Sequence, residues 1–272
     1  MSKVFDYEKL LAAAKERRAA FTDNRPFPHN VIDHFMDACI LQQALAEFPK
    51  PGQQTFYSYD NPFEKKIAFD QILCLPPTIR EILIEMNAPG FLRFLEELSG
   101  IQGLIPDPYY RGCGIHAVEQ GGKLDIHLDF NKHKKLGLNR KLNVLLYLNP
   151  DWQESFGGQL EFWSAQKAGG SWILDQCEKK IAPLFNRLVV FSYTEKSFHG
   201  HPEPLRCPAG WSRKALMAAY YLSPVLDQNP EDAHSTLYMR RPGDPIHADI
   251  EMLRTKRGQQ RLASNLQNEF TA

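Results

Sequence analysis

KLDIHLDF, residues 123–130, reads as a β-strand whose polar face is unusual. Successive side chains of a strand alternate sides, so His127 and Asp129 point one way together while Leu128 points the other. A strand inside a soluble protein is expected to be apolar, and burying a charge without a partner is costly. The pair is therefore either solvated or grips something.

The strand-like texture extends downstream. From about residue 104, short runs rich in β-branched and aromatic residues recur: NVLLYLN (143–149), QLEFW (159–163), RLVVFSY (187–193) and KALMAAYYLS (214–223). Gly, Pro, Asn and Asp separate them, which is the pattern of a sandwich, jelly roll or barrel. Upstream the texture is helical. YEKLLAAAKERRAAF (7–21) and VIDHFMDACILQQALAEF (31–48) repeat apolar positions every three or four residues, and Pro49 and Pro51 stop the second. TFYSYDNPFEKK (55–66) has no clean period and reads as a loop or short strand. PPTIREILIEMNAPGFLRFLEELSG (76–100) reads as two helices divided at Pro89-Gly90. IEMLRTKRGQQRLASNLQNEF (250–270) reads as a terminal helix whose basic run, from Arg254 to Arg261, is taken as a solvated face. The expected organisation is one domain over 1–272: helical support at 1–103, a strand-rich core at 104–224 and a C-terminal extension at 225–272.

Composition excludes several classes. The 272 residues are 43% hydrophobic and 24% charged, ordinary for a globular chain, and no apolar run approaches the roughly 18 residues of a membrane span. Lys and Arg balance Asp and Glu at 32 each, so no overall field would gather nucleic acid or a membrane surface. Lys3, Asp6 and Glu8 stand where a secretory signal would be apolar, and a cytoplasmic protein is expected. The five cysteines are scattered without a C-x-x-C and are expected to be free thiols.

Imidazole beside carboxylate suits a borderline divalent metal, and a third ligand is needed to hold it on one face. SFHGHPEP (197–204) offers His199, with His201 as the nearest competitor. Two histidines and a carboxylate leave coordination positions open, the arrangement associated with non-haem Fe(II) oxygenases. On WSRKALMAAYYL (211–222), Arg213 shares a face with Ala215, Met217 and Ala219, and an inward arginine calls for an anion. Asn143 and Tyr147 share a face of their own strand and can add hydrogen bonds to the same guest.

HLDF, then LNVLLYLNPDW and FGGQLEFW, then VVFSYTEKSFHGHPEPL and WSRKALMAAYYL, taken in order over roughly residues 112–224, resemble the Fe(II)- and 2-oxoglutarate-dependent oxygenases of the prolyl-hydroxylase-like group. The resemblance implies an α+β fold with a mainly β core: a double-stranded β-helix, a jelly-roll or cupin-like barrel, with supporting N-terminal helices. It implies His127, Asp129 and His199 as the iron ligands, Arg213 and Tyr147 on the far carboxylate of 2-oxoglutarate, and Asn143 in the same pocket. It also implies the reaction: oxidative decarboxylation of 2-oxoglutarate to succinate and CO2, with O2 as oxidant and ascorbate as a candidate reductant, coupled to hydroxylation of a C–H bond. The substrate expected is a prolyl or similar residue in a protein or peptide, with a free amino acid or other small metabolite as the alternative. A non-catalytic barrel and a metal-dependent hydrolase are the competing classes; the first predicts loss of a ligand or of Arg213, and the second needs no arginine and tyrosine aimed at a dicarboxylate.

The blander assignments are His133 to a polar loop beside the mouth, His116 to the core or rim, and Trp152 and Trp163 to packing. Arg206 is the fallback should Arg213 be out of register, and Cys113 and Cys207 carry no role. His116 or Val118 stands where related chains offer the co-substrate a tyrosine.

Overall fold

The computed structural model of the protein describes residues 4–50, 57–226 and 233–259. In chain order the elements are α1 (Tyr7–Asp23), β1 (His29–Ile32), α2 (Ala38–Ala46), β2 (Tyr57–Asn61), β3 (Glu64–Phe69), α3 (Pro77–Met86), α4 (Pro89–Ser99), β4 (Ile105–Pro106), β5 (Gly114–Glu119), β6 (Lys123–Leu128), β7 (Asn139–Tyr147), β8 (Leu160–Ala168), β9 (Ser171–Ile181), β10 (Leu188–Ser192), β11 (Phe198–His201), β12 (Ser212–Leu222), β13 (Leu237–Tyr238) and α5 (Ala248–Gln259).

The strands form one curled antiparallel sheet in the order β1-β10-β7-β12-β5-β3-β6-β11-β8-β9. Strand β3 is the hinge of the curl, pairing with β5 from Ile67 to Phe69 and with β6 at Glu64 and Lys65. The two arms fold toward each other over an apolar filling. Leu145 and Tyr147 of β7, Val189 and Phe191 of β10 and Ala215 of β12 meet Leu160 and Phe162 of β8 and Ile181 of β9. Phe162 sits at the centre, its ring 4.6 Å from Phe27 and 5.3 Å from Phe191.

Helices α1–α4 cover the outer face of the larger arm. Helix α4 begins with Pro89 in its first turn, ends at Gly100 in the left-handed region (φ 78°), and buries Phe91, Phe94, Leu95 and Leu98. Its apolar stripe joins α1, α3 and the outward residues of β7 and β12 in the main core. A rigid backing is the result, and it leaves the inside of the curl for chemistry.

The mainly β core with supporting helices matches the sequence reading, and both helices of residues 76–100 form as expected. Two segments differ. Residues 31–48 do not form one helix: Val31 and Ile32 pair with β10 in β1, and α2 starts only after Asp37, whose carboxylate caps the amides of Cys39 and Ile40. Residues 57–69 form the β2–β3 hairpin and complete the sheet, because Asn61 closes its turn by accepting from the amides of Phe63 and Glu64. The terminal helix runs to Gln259, and the rest of the expected span lies outside the described residues.

Replacing Phe162 with alanine is expected to lower folding stability by about 3–5 kcal/mol, measured as a shift in the urea midpoint, because it empties the centre of the filling between the arms. A loss below about 1 kcal/mol would show that the arms do not depend on this contact.

Candidate metal centre

His127 lies near the end of β6 and pairs directly across the ladder with His199 of β11. Their ring centroids are 4.5 Å apart. Gly200 makes this approach feasible: a Cβ there would sit 2.7 Å from the Asp125 carbonyl oxygen and 2.8 Å from that of Leu124. Asp129 follows one residue after β6 ends and turns back toward both rings. One ligand atom from each of the three residues lies within 4.8 Å of the others.

The protonation states follow from the neighbours. His127 Nδ1 is 2.9 Å from the Asp125 carbonyl oxygen, and His199 Nδ1 is 2.8 Å from that of Ser197. A carbonyl only accepts, so each ring carries a proton on Nδ1 and turns Nε2 inward. These two atoms stand 3.5 and 3.6 Å from the Asp129 oxygens. Burial, reinforced by the charge of His127, drives the His199 pKa down to about 4, so its ring is neutral. Burial would raise the Asp129 carboxyl, but Arg140 and the two histidines outweigh it and hold it well below the usual carboxylate range. Two ring nitrogens and an ionised carboxylate thus converge on one point.

Arg140 is the residue that sequence reasoning missed. Its Nη2 lies 3.3 Å from Asp129 Oδ2, and its Nε donates to Asn143 Oδ1 at 2.7 Å. Asn143 Nδ2 in turn donates to Asp129 Oδ2 at 3.1 Å. Asn143 therefore contacts the carboxylate of the triad, whereas the sequence reading placed it against the guest. Strict alternation along β7 would put Lys141, not Arg140, on the face of Asn143, Leu145 and Tyr147. A register shift against β12, where Leu142 faces Tyr220 and Arg140 faces Tyr221, leaves Lys141 extra and turns Arg140 inward. Its guanidinium then lies 4.7 Å over the Phe130 ring, buried with 3% exposure.

At the other end of the curl, Arg213 is buried with 4% exposure. Its Nε donates to the Gly158 carbonyl at 2.7 Å and its Nη2 to the Tyr147 hydroxyl at 2.9 Å. Gly158, in the left-handed region (φ 73°), passes so close that a Cβ would meet Leu205 at 2.7 Å and Arg213 at 3.0 Å. Among the described residues no carboxylate lies within ion-pair distance of this guanidinium. The Tyr147 hydroxyl, accepting from Arg213, keeps its own proton to donate. His201 and His116 also face this region; both are neutral, with burial taking His116 down to about 3 and His201 well below its usual range. Their inward atoms, His201 Nδ1 and His116 Nε2, have no partner among the described residues. His201 stands outside the convergent set, and Arg206 is exposed, so the buried guanidinium is that of Arg213.

One cavity of about 590 Å³ joins the two ends, lined by His127, Asp129 and His199 as well as Arg213, His116 and His201. The C-terminal strap forms part of its mouth, where β13 pairs with β6 and Tyr238 stacks on Phe63 with centroids 4.8 Å apart. Arg254 reaches Asp125 and Arg257 reaches Glu64, each at 3.6 Å, so these two arginines dock on the barrel rather than forming a purely solvated helix face. His133 lies in the loop beside the cavity as expected, but its side chain is fully buried, with Nε2 3.1 Å from Asp107 Oδ1. Trp152 packs with Phe156, and Trp163 is partly buried beside Phe198. All five cysteines are free, and burial raises the Cys113 thiol to about 12. Among the described residues no helix is long and apolar enough to cross a membrane.

Two imidazoles and an ionised carboxylate form a donor set suited to Fe(II), and their convergence calls for a cation. The residues therefore fit the metal. Comparison with known proteins agrees. Residues 113–222 match the family described as the 2OG-Fe(II) oxygenase superfamily. No curated protein matches the chain. Among solved structures, a Pseudomonas putida prolyl-4-hydroxylase superposes with a TM-score of 0.52 at 20% identity, over 78% of this chain and 99% of that one. A prolyl hydroxylase of Trichoplax adhaerens, in complex with a peptide fragment of the hypoxia inducible factor oxygen degradation domain, gives 0.53 at 17% identity, over 79% and 91%. A Phytophthora capsici prolyl 4-hydroxylase gives 0.53 at 19% identity, over 93% and 75%. The likeness establishes the fold as a double-stranded β-helix. Over residues 113–222 the chain is similar to the 2OG-Fe(II) oxygenase superfamily, a family named for Fe(II) and 2-oxoglutarate.

Proposed function

We propose that the protein is a dioxygenase that hydroxylates a prolyl or similar residue in a protein or peptide, with the whole chain acting as one oxygenase domain. One observation carries this reading: a convergent triad and a buried guanidinium without a carboxylate partner share one cavity. Bound Fe(II), with 2-oxoglutarate and O2, supplies the oxidation, in which the co-substrate is decarboxylated to succinate and CO2 and one oxygen atom enters a C–H bond.

The chain's part is binding, orientation and exclusion of water. His127, Asp129 and His199 hold the metal, with the two rings oriented by the carbonyls of Asp125 and Ser197. Arg140 and Asn143 both act on Asp129 Oδ2, which stops the carboxylate from rotating and would steady it as a metal ligand. Arg213 and Tyr147 take the distal carboxylate of 2-oxoglutarate as a charge-assisted pair. The Gly158 carbonyl fixes the guanidinium before the guest arrives, so little ordering is left for binding to supply. The prolyl assignment draws on the likeness to prolyl hydroxylases and on the open, aromatic-lined mouth.

Asp129→Ala is expected to reduce Fe(II)-dependent succinate release from 2-oxoglutarate to below about 1% of the parent rate; retained turnover would remove Asp129 from the metal. Arg213→Met should raise the KM for 2-oxoglutarate about thirtyfold, on the order of 2 kcal/mol, with folding intact by circular dichroism. An unchanged KM would place the distal carboxylate elsewhere. Arg140→Met and Asn143→Ala should each weaken Fe(II) affinity by about 10–100-fold in anaerobic titration, and parent-like affinity in both would show that Asp129 needs no support.

A further inference from the structure

The mouth of the cavity is built largely from loops, and a buried pair of side chains that the chemistry described above does not use ties two of them together. Residues 107–113 bring Arg111, Gly112 and Cys113 to the cavity wall, and residues 130–134 bring Phe130, Lys132 and Lys134. Behind them His133, fully buried, meets Asp107, which is 2% exposed, across 3.1 Å from Nε2 to Oδ1. The two residues stand 26 apart in sequence.

Each member of the pair is also the centre of its own loop. His133 Nδ1 accepts from the amides of Lys135 and Leu136 at 3.3 and 3.1 Å, so the ring carries its proton on Nε2 and donates it to the carboxylate. The His133 amide donates to the Leu138 carbonyl, and the Gly137 amide to the His133 carbonyl, both at 2.8 Å. Asp107 accepts from the amide of Tyr109 through Oδ1 and from that of Arg111 through Oδ2, again at 2.8 Å. One hydrogen bond therefore joins two loops that are each wound around one of its ends. The rings of Tyr109 and Tyr221 pack on His133 at 5.7 and 5.4 Å and hold its plane.

The second loop leaves from the metal site and returns to it. It starts one residue after Asp129 and ends at Arg140, whose guanidinium lies against Asp129 and whose amide donates to the Asn131 carbonyl at 2.8 Å. Asn131 Oδ1 accepts from the His234 amide at 2.9 Å, which joins the C-terminal strap to the same loop. A buried polar pair adds little stability over an apolar pair of the same shape. What it adds is a single geometry, in a region where no strand ladder sets one. Asp129 itself has its own supports in Arg140 and Asn143, so the metal site does not lean on this pair.

Resting on the prolyl-hydroxylation reading, we propose that Asp107 and His133 are a positioning pair for the substrate: they set the spacing of two mouth loops so that a peptide is seated over the metal, and they take no part in holding Fe(II) or 2-oxoglutarate.

The test uses the full-length, iron-loaded enzyme with 2-oxoglutarate, O2 and a library of synthetic peptides with one central proline and randomised flanks, scored by mass for a gain of one oxygen. The best-modified peptide is then made singly, and its KM, kcat and ratio of oxygen gained to succinate released are measured for the parent, His133→Asn, Asp107→Asn and the double variant. His133→Asn keeps an acceptor for the loop amides but is too short to reach Asp107; Asp107→Asn keeps the shape and removes the charge, and carries the test should the first variant not fold. His133→Asn is expected to raise the peptide KM about tenfold and to lower the ratio of oxygen gained to succinate released severalfold. The KM for 2-oxoglutarate and the Fe(II) affinity in anaerobic titration should change by less than about twofold. Asp107→Asn should move the same quantities in the same direction, and the double variant should be no worse than the worse single one, because both act through one bond. Parent-like peptide KM and ratio in the folded variants overturn the proposal, and so does an equal loss of Fe(II) or 2-oxoglutarate binding; both leave the prolyl reading standing. Succinate release with no library member oxidised contradicts the prolyl reading and this proposal with it, and no succinate under any condition contradicts the oxygenase assignment as well.

Discussion

Three ligand groups held at one point are the constraint on which the rest of this structure depends. His127 Nε2, His199 Nε2 and an Asp129 oxygen converge, and none can move without breaking a bond behind it. The two imidazoles are tied to backbone carbonyls, and the carboxylate is tied to Arg140 and Asn143. A buried carboxylate would be costly alone, and Arg140 above all keeps it charged. The site is arranged before a cation binds, so the energy of arranging it is expended in folding rather than at the moment of binding.

The fold serves this arrangement with few elements. Strands β6 and β11 supply the histidines as a directly opposed pair, with Gly200 allowing their close approach. Strand β7 serves both ends of the cavity, since Arg140 and Asn143 support the carboxylate at one end and Tyr147 meets Arg213 of β12 at the other. One stretch of backbone thereby fixes the spacing between metal and guanidinium, and the helices behind it, through the main core, keep that spacing rigid. The C-terminal strap is of another kind. It is held by a two-residue strand, a stacked ring pair and ion pairs at the rim, contacts weak enough individually for the mouth wall to be the adaptable part.

What the sequence disclosed and what it hid follow from periodicity. His127 and Asp129, Arg213, and Asn143 with Tyr147 could be placed on common faces because alternation holds along those strands. The ordered set of motifs was needed to prefer His199 over His201, since both lie on one short strand and are equally buried. Arg140 was invisible because the bulge at Lys141 breaks the alternation from which a face is inferred. The burial of His133 was hidden because its partner, Asp107, is distant in sequence and lies in a loop without period. Strand β1 escaped, and the segment of the β2–β3 hairpin read only as a loop or short strand, because strands of four to six residues joined by tight turns leave too short a pattern and their pairing is set by the sheet they join.

The most direct test of the central claim is anaerobic calorimetric titration of the metal-free protein with Fe(II), for the parent and for His127→Ala, Asp129→Ala and His199→Ala. The account predicts one ion per chain for the parent and loss of that binding event in each variant. Undiminished binding in any one of the three, or no binding in the parent, would contradict it.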